Sequence, residues 1–473
     1  MAEEYDVIVI GAGAAGEHAA GRCTDAGLRT AVAEHELVGG ECSYWACMPS
    51  KTLLRPGQVI TAARRVPGAA QAVTGDLDVG KALARRDWMT AGWDDKNQAD
   101  WLAGVGATLV RGRGRLAGER CVEVEARDGS RRRLSAARAV ILATGSTAAV
   151  PPVEGLHEIR IWDNRQVTSA KHVPDRLLVL GGGPVGTEMA QAWRRLGSTE
   201  VTVVEAAGRL LPSEEPFAGE QLGKALAAEG ITIIAGAKMV TARRPADDAP
   251  VTATLQDGRI ITADEILVAV GRRPSTADVG LDTVGLQPGR PVPVDDTFCA
   301  AGVPGGWLYA VGDANGRALL THMGKYQARI AVEALLGRPA PARAAVPRVT
   351  FTDPQVAAAG LTEAQATDRG IQVRVVRARL ENVAAAAVAG DEVTGMAQLV
   401  IDESRQVILG ATFTGPDISE ALHAATIAIV GEVPMERLRH AVAAFPTLSE
   451  VWLELILAYQ AKPPGRAAGH EGQ

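Results

Sequence analysis

The stretch Gly39-Gly40-Glu41-Cys42-Ser43-Tyr44-Trp45-Ala46-Cys47-Met48-Pro49-Ser50-Lys51 sets two cysteines close together in a chain whose remaining cysteines, Cys23, Cys121 and Cys299, stand singly. Along a regular helix Cys42 and Cys47 would be separated by roughly 7.5 Å of rise, near the outer limit for bridging two Cα atoms, so a disulfide between them needs a locally distorted turn. Gly39 and Gly40 before the pair and Pro49 after it can supply irregular backbone. A buried thiol pair and half of a zinc site are the competing readings. Zinc takes four ligands, however, and no second Cys/His cluster with ligand spacing occurs in the sequence. The spacing favours a redox pair.

Upstream, Tyr5 to Ile10 reads as a buried parallel strand that runs into Gly11-Ala-Gly13-Ala-Ala-Gly16 and then a helical stretch to about Ala26. That order of strand, glycine turn and helix is a dinucleotide fingerprint. The first glycine permits the tight turn, the second lets backbone approach a pyrophosphate, and the third lets helix and strand pack closely. A second strand, Arg29 to Ala33, ends in Glu34, where a carboxylate should meet ribose hydroxyls. Downstream the pattern repeats: strand Arg176 to Leu180, turn Gly181-Gly-Gly183-Pro-Val-Gly186, helix Thr187 to Leu196, strand Val201 to Val204 and then Glu205. Two dinucleotides are implied. Glu205 accepts from a free 2′-hydroxyl and repels a 2′-phosphate, which favours NAD(H) over NADP(H), although Arg209 nearby could accommodate a phosphate.

At 473 residues with 47% hydrophobic content, the chain is long enough for two or three domains with separate cores. No apolar run approaches the roughly 18 residues of a membrane span, and no basic n-region precedes the first strand, so a cytoplasmic protein without a membrane segment is expected. A net charge of −6 argues against nucleic-acid binding. The short basic run Arg131 to Arg133 follows a turn at Asp128-Gly129-Ser130 and reads as a solvated edge. Thr52 to Gly104 reads as largely helical, with Trp88, Trp93 and Trp101 as apolar packing anchors.

The cysteine stretch resembles the Gly-Gly-x-Cys-x4-Cys-x-Pro-Ser-Lys signature of the pyridine nucleotide-disulfide oxidoreductases, the group that contains dihydrolipoamide dehydrogenase, glutathione reductase and mercuric reductase. The resemblance extends over nearly the whole chain. It implies an α/β fold with two Rossmann-like domains and a C-terminal α+β dimerisation domain: FAD-binding at 1–150 and 275–345, NAD(P)-binding at 151–274, dimerisation at 346–465, and a disordered tail at 466–473. It further implies FAD as cofactor, homodimerisation, and electron flow from a nicotinamide through flavin to the cysteine pair. Cys42 would exchange with substrate, Cys47 would lie against the flavin as a thiolate, and Lys51 would stand beside the flavin ring.

By the same resemblance Glu188 would pair with Lys51, the alternative being an acid favoured by the helix dipole. Thr144-Gly145 and Gly271 would form the turns that carry the chain out of and back into the FAD domain. Gly312-Asp313 would end the strand whose aspartate meets the flavin's ribityl chain. His322 could be a helix cap or a ring contact.

The pattern breaks near the C-terminus. The family's His-Pro-Thr-x-x-Glu reads Phe445-Pro446-Thr447-Leu448-Ser449-Glu450 here, so an apolar ring takes the place of the acid/base histidine. Glu450 keeps its place without the imidazole it would orient. His440 and His423 are the nearby candidates for a substitute. The expected enzyme is a flavoprotein that passes electrons from NAD(P)H through FAD and Cys42-Cys47 to an unidentified small-molecule acceptor. The alternatives are an NAD(P)H:quinone or dye reductase acting from the flavin directly, and a slowly turning redox-sensing flavoprotein.

Overall fold

A computed structural model describes residues 3–339 and 341–461. The first sheet is built on Glu3–Ile10, whose Val7, Ile8, Val9 and Ile10 are all buried; apolar side chains on both faces mark a strand covered on both sides. Thr30–Glu34 and then Thr108–Arg111 lie parallel on one side of it, and Arg131–Leu142 lies parallel on the other. Leu308–Ala310, from far along the chain, adds in parallel to Arg131–Leu142. This brings Asp313 back to the C-terminal end of the sheet. The antiparallel hairpin Cys121–Glu125 and Arg131–Leu142 turns at Asp128, whose carboxylate takes the Ser130 amide, and Arg132 forks onto Glu3 at the exposed edge.

Helix α1 (Ala14–Asp25) follows the first strand directly. Then come α2 (Gly40–Tyr44), α3 (Cys47–Arg64), α4 (Val79–Met89) and α5 (Lys96–Gly104), in the region expected to be helical. The three tryptophans do not all anchor that region. Trp88 is 64% and Trp101 46% exposed, and an Arg85 guanidinium covers the Trp88 ring. Trp93 lies in a 3-10 turn and donates its indole N–H to the Tyr44 carbonyl. Helical spacing named the elements correctly but could not say which face was covered.

The second parallel sheet runs Ile231–Ala235, Glu200–Glu205, Arg176–Leu180, Glu265–Val268, with a three-stranded antiparallel sheet (239–263) beside it. Helix α6 (Asn164–Ser169) precedes it; α7 (Pro184–Leu196) and α8 (Pro216–Ala228) follow its first and second strands. The chain crosses between the two halves on two short strands, Ser146–Ala148 and Arg272–Pro274, which pair antiparallel. Helix α9 (Thr321–Leu335) packs on α1.

The C-terminal part is a five-stranded antiparallel sheet ordered Arg348–Thr350, Gln355–Gly360, Val407–Gly415, Met396–Asp402, Val373–Arg379, with the helices Leu422–Val430 and Val451–Gln460 packed against it around Phe413 and Trp452. The tail expected at 466–473 lies outside the described residues. Among the described residues no helix is long and apolar enough to cross a membrane, and no group of three or more His, Cys, Asp or Glu is arranged to hold a metal ion.

Candidate active site

The two glycine turns have the same geometry. Gly11 has φ +97°, and a Cβ there would come within 2.5 Å of the Ala143 carbonyl oxygen; at Gly16 a Cβ would reach 1.9 Å from the Gly11 oxygen. Gly181 and Gly186 repeat this, with 2.4 Å to the Ala269 oxygen and 1.9 Å to the Gly181 oxygen. By contrast, a Cβ at Gly13 or Gly183 would meet nothing within 4 Å. These middle glycines stand at the N-caps of α1 and α7, neither of which has a side-chain cap. The free amides of each first turn therefore face open space, the condition for receiving a pyrophosphate.

Both strand-end carboxylates hold their loops in the same way. Glu34 Oε2 accepts from the Ala12 amide at 2.7 Å and Oε1 from the Glu36 amide at 2.8 Å. Glu205 Oε2 accepts from the Gly182 amide at 2.6 Å and Oε1 from the Ala207 amide at 2.7 Å. Burial opposes the charge on Glu34, but the hydrogen bonds from His35 and from these amides outweigh it and hold the carboxyl below its ordinary range. Arg209 is occupied elsewhere: its guanidinium donates to the carbonyls of Leu211, Pro212 and Glu214 at 2.7–2.9 Å.

Further groups frame the first site. Thr144 Oγ1 is buried without a partner, next to Gly145 at φ +71°. An orphaned hydroxyl, an open Gly13 and an uncapped α1 together fit the FAD that the resemblance implies. Asp313 Oδ2 accepts from Ser146 Oγ at 2.5 Å, and burial pushes its carboxyl up against the pull of Ser146 and Arg272. The Gly312 amide donates to Gln327, and Gly271 has φ +133° in the return crossing.

The redox stretch breaks between α2 and α3. Trp45 has φ −138°, and Ala46 has φ −134° and ψ −99°, which starts α3 at Cys47. This is the distortion the pair requires. Both thiols are free, and the Thr321 hydroxyl lies 3.2 Å from the Cys47 sulfur. The neighbouring Cys42 thiol, that hydroxyl and the Lys51 charge overcome burial and draw Cys47 down to about 6. The helix N-terminus also favours an anion at this position. The neighbouring Cys47 and burial push Cys42 up.

Lys51 Nζ lies 2.7 Å from Glu188 Oε2 on α7, and Glu188 Oε1 accepts the Phe351 amide at 2.8 Å. Glu450 and Phe445 sit elsewhere in the chain. Glu450 closes a capping box with Thr447 around the 3-10 turn Leu448–Glu450, just before Val451–Gln460, and Phe445 is 75% exposed. His440 and His423 are exposed, and His322 Nε2 contacts the Pro347 carbonyl instead of capping α9. Sequence reasoning missed Thr321, whose place at a helix start carries no signal for a sulfur contact, and Asn164, Arg165 and Arg272, which close on the redox stretch from beyond residue 160.

Residues 5–334 match the model of the pyridine nucleotide-disulphide oxidoreductases, and residues 346–456 match that family's dimerisation domain. The chain is 34% identical to a dihydrolipoyl dehydrogenase of Chlorobaculum tepidum over 95% of its own length and 96% of that protein's. It is 29% identical to a mercuric reductase of Staphylococcus aureus, over 94% and 81%. Among solved structures it superposes on LpdA of Mycobacterium tuberculosis with a TM-score of 0.85 at 26% identity, over 97% of this chain and all of that one. Two nucleotide sites, a cysteine pair at a helix start and matches spanning both parts of the chain lead to one conclusion: the chain belongs to the pyridine nucleotide-disulphide oxidoreductase family, enzymes that use FAD and NAD(P)H.

Proposed function

We propose that this enzyme passes electrons from NADH through FAD to the Cys42-Cys47 pair and on to a small-molecule acceptor other than an ordinary disulfide. The observation that carries the reading is the α2–α3 break that sets Cys42 and Cys47 at a helix start, with the Cys47 sulfur 3.2 Å from the Thr321 hydroxyl and Lys51 held 2.7 Å from Glu188; the shifts of the two thiols, Cys47 down and Cys42 up, run the same way. When bound, FAD supplies two-electron transfer between nicotinamide and disulfide. Lys51, held by Glu188, places a positive charge where negative charge accumulates on reduction. Cys47 keeps its thiolate beside that site, and Cys42 carries the exchanging sulfur. The engaged Arg209 leaves the carboxylate of Glu205 to decide the nucleotide, which favours NAD(H) over NADP(H).

Acceptor chemistry follows from Phe445. A positioned general base contributes about 10²- to 10⁴-fold, and a phenyl ring at the place of the family histidine can move no proton. Disulfides whose leaving thiols need protonation are then poor substrates, whereas a quinone, a metal ion or a disulfide with an acidic leaving thiol is not handicapped. The apolar side chains left exposed near the C-terminus, Ile427, Val430, Val442, Phe445, Leu453 and Leu457, support a homodimer that covers them. In this reading 1–150 and 275–345 bind FAD, 151–274 binds NAD(P), and 346–465 forms the dimer.

The testing experiment is steady-state NADH oxidation by the FAD-loaded protein against a quinone, a metal ion, lipoamide and glutathione disulfide. Fast turnover with a quinone or metal ion and weak turnover with the two disulfides is expected; typical enzyme rates with lipoamide or glutathione disulfide would refute the assignment of acceptor. If a Cys42→Ser variant retained full quinone activity, the flavin itself would be the donor and the direct quinone reductase reading would replace it.

A further inference from the structure

The break that brings Cys42 against Cys47 is held from outside the redox stretch. Trp45 lies just before α3, and its carbonyl can take no bond from Pro49, which has no N–H. Asn164 Nδ2 and Thr168 Oγ1, both on α6, donate to that carbonyl instead, at 3.0 and 3.2 Å. The carboxylate of Glu41, directly before Cys42, is gripped by the same helix: Arg165 Nε donates to Oε1 at 2.6 Å and Asn164 Nδ2 to Oε2. Arg165 also lies over the Trp45 ring at 4.2 Å. Asn164 is nearly fully buried, and its Oδ1 accepts from Arg272, which stands 3.5 Å from Glu41 and bonds Ser146 through Nε and a terminal nitrogen. Both crossing strands, Ser146–Ala148 and Arg272–Pro274, are thereby tied to the residue beside the exchanging cysteine.

We infer that Glu41 is a positioning residue for the Cys42–Cys47 couple, anchoring the α2–α3 break to Asn164, Arg165 and Arg272 and so setting the equilibrium between dithiol and disulfide. The inference rests on the proposed redox role of the pair. Closing the disulfide depends on how often one sulfur is found within reach of the other, and beyond the Trp45 amide's bond to the Glu41 carbonyl at 2.8 Å the break is held at Trp45 by this anchor. In exchange with glutathione, the enzyme disulfide and two glutathione thiols give the reduced pair and one glutathione disulfide: the Cys42–Cys47 bond breaks, one S–S bond forms, one proton goes to Cys42, and the other goes to solvent while Cys47 stays a thiolate, or to Cys47 at low pH. Loosening the break shifts this equilibrium toward dithiol.

The experiment equilibrates the FAD-loaded protein anaerobically in buffers of graded glutathione to glutathione-disulfide ratio, quenches with acid, alkylates free thiols and counts them by mass spectrometry. Glu41→Ala is expected to raise the equilibrium constant for reduction at least tenfold, equivalent to about 30 mV for a two-electron couple. Glu41→Gln, which keeps the side-chain volume and one acceptor, is expected to move it at least threefold in the same direction with flavin content and melting temperature near wild type; it decides the matter if Glu41→Ala loses its flavin. Constants for both variants within twofold of wild type, or a shift toward disulfide, would overturn the inference. A wild-type protein that forms no Cys42–Cys47 disulfide at any ratio would instead overturn the proposed redox role of the pair.

Discussion

Lys51 Nζ and Glu188 Oε2 lie 2.7 Å apart, and this contact joins helix α3, which carries Cys47, to helix α7, which opens at the second glycine turn. Because Glu188 is buried and its other oxygen takes the Phe351 amide, the carboxylate also ties both helices to the C-terminal part. Breaking a buried ion pair costs about 3–5 kcal/mol, and Lys51, about one-third exposed, can recover part of its hydration. Glu188→Leu is therefore expected to lower unfolding free energy by about 2–3 kcal/mol in urea titration and to slow flavin reduction by NADH. Unchanged stability would mean that the pair contributes only geometry.

Thr321 should control the charge on Cys47. In a Cys42→Ser background, which permits no disulfide, Thr321 and Lys51 still hold Cys47 down, and the thiolate forms as pH rises and is lost as pH falls. A hydrogen bond to a charged group is worth about 1.5–3 kcal/mol, and one pKa unit corresponds to about 1.4 kcal/mol. Adding Thr321→Val should then move the midpoint of the thiolate's long-wavelength absorption upward by about one pH unit. An unmoved midpoint would leave Lys51 and the hydroxyl introduced at position 42 as the dominant partners.

Much of this site is legible in the sequence, because the nucleotide turns are local. The close approach of Gly16 to Gly11 and the spacing from each glycine turn to Glu34 or Glu205 arise within some 25 residues and can be read from sequence, whereas the crowding of Gly11 by Ala143 and the bonds of both carboxylates to loop amides are not. The Lys51–Glu188 contact spans 137 residues and is visible only through the family resemblance. Thr321 at Cys47 and the α6 contacts to Glu41 and Trp45 join segments more than 100 residues apart with no motif of their own. Trp88 and Trp101 fail for a different reason: helical periodicity gives a side chain's direction on its helix but not what lies opposite.

Nucleotide preference tests the second turn. With Arg209 committed to three backbone carbonyls, no cation is offered to a 2′-phosphate by that residue, and Glu205 repels one. NADH should exceed NADPH at least tenfold in kcat/KM, and Glu205→Ala should narrow the ratio at the expense of stability, since the Gly182 and Ala207 amides lose their acceptor. Equal use of both nucleotides by the wild type would contradict this.

Phe445→His should selectively raise turnover with lipoamide or glutathione disulfide by about one order of magnitude, below the 10²- to 10⁴-fold of an evolved base because the surrounding pocket was not built around an imidazole. Quinone reduction should be unaffected. A variant that gains nothing with either disulfide would show that the residue at position 445 is not what limits them.

The central claim is that Cys47 lies against the flavin as the electron-receiving thiolate with Cys42 as its exchange partner. Anaerobic visible spectra of wild type, Cys42→Ser and Cys47→Ser, before and after two-electron reduction with NADH, test it most directly. The wild type should develop a long-wavelength charge-transfer band on reduction, Cys42→Ser should show the band already when oxidised, and Cys47→Ser should show it in neither state. Three indistinguishable spectra would place the pair away from the flavin and contradict the account.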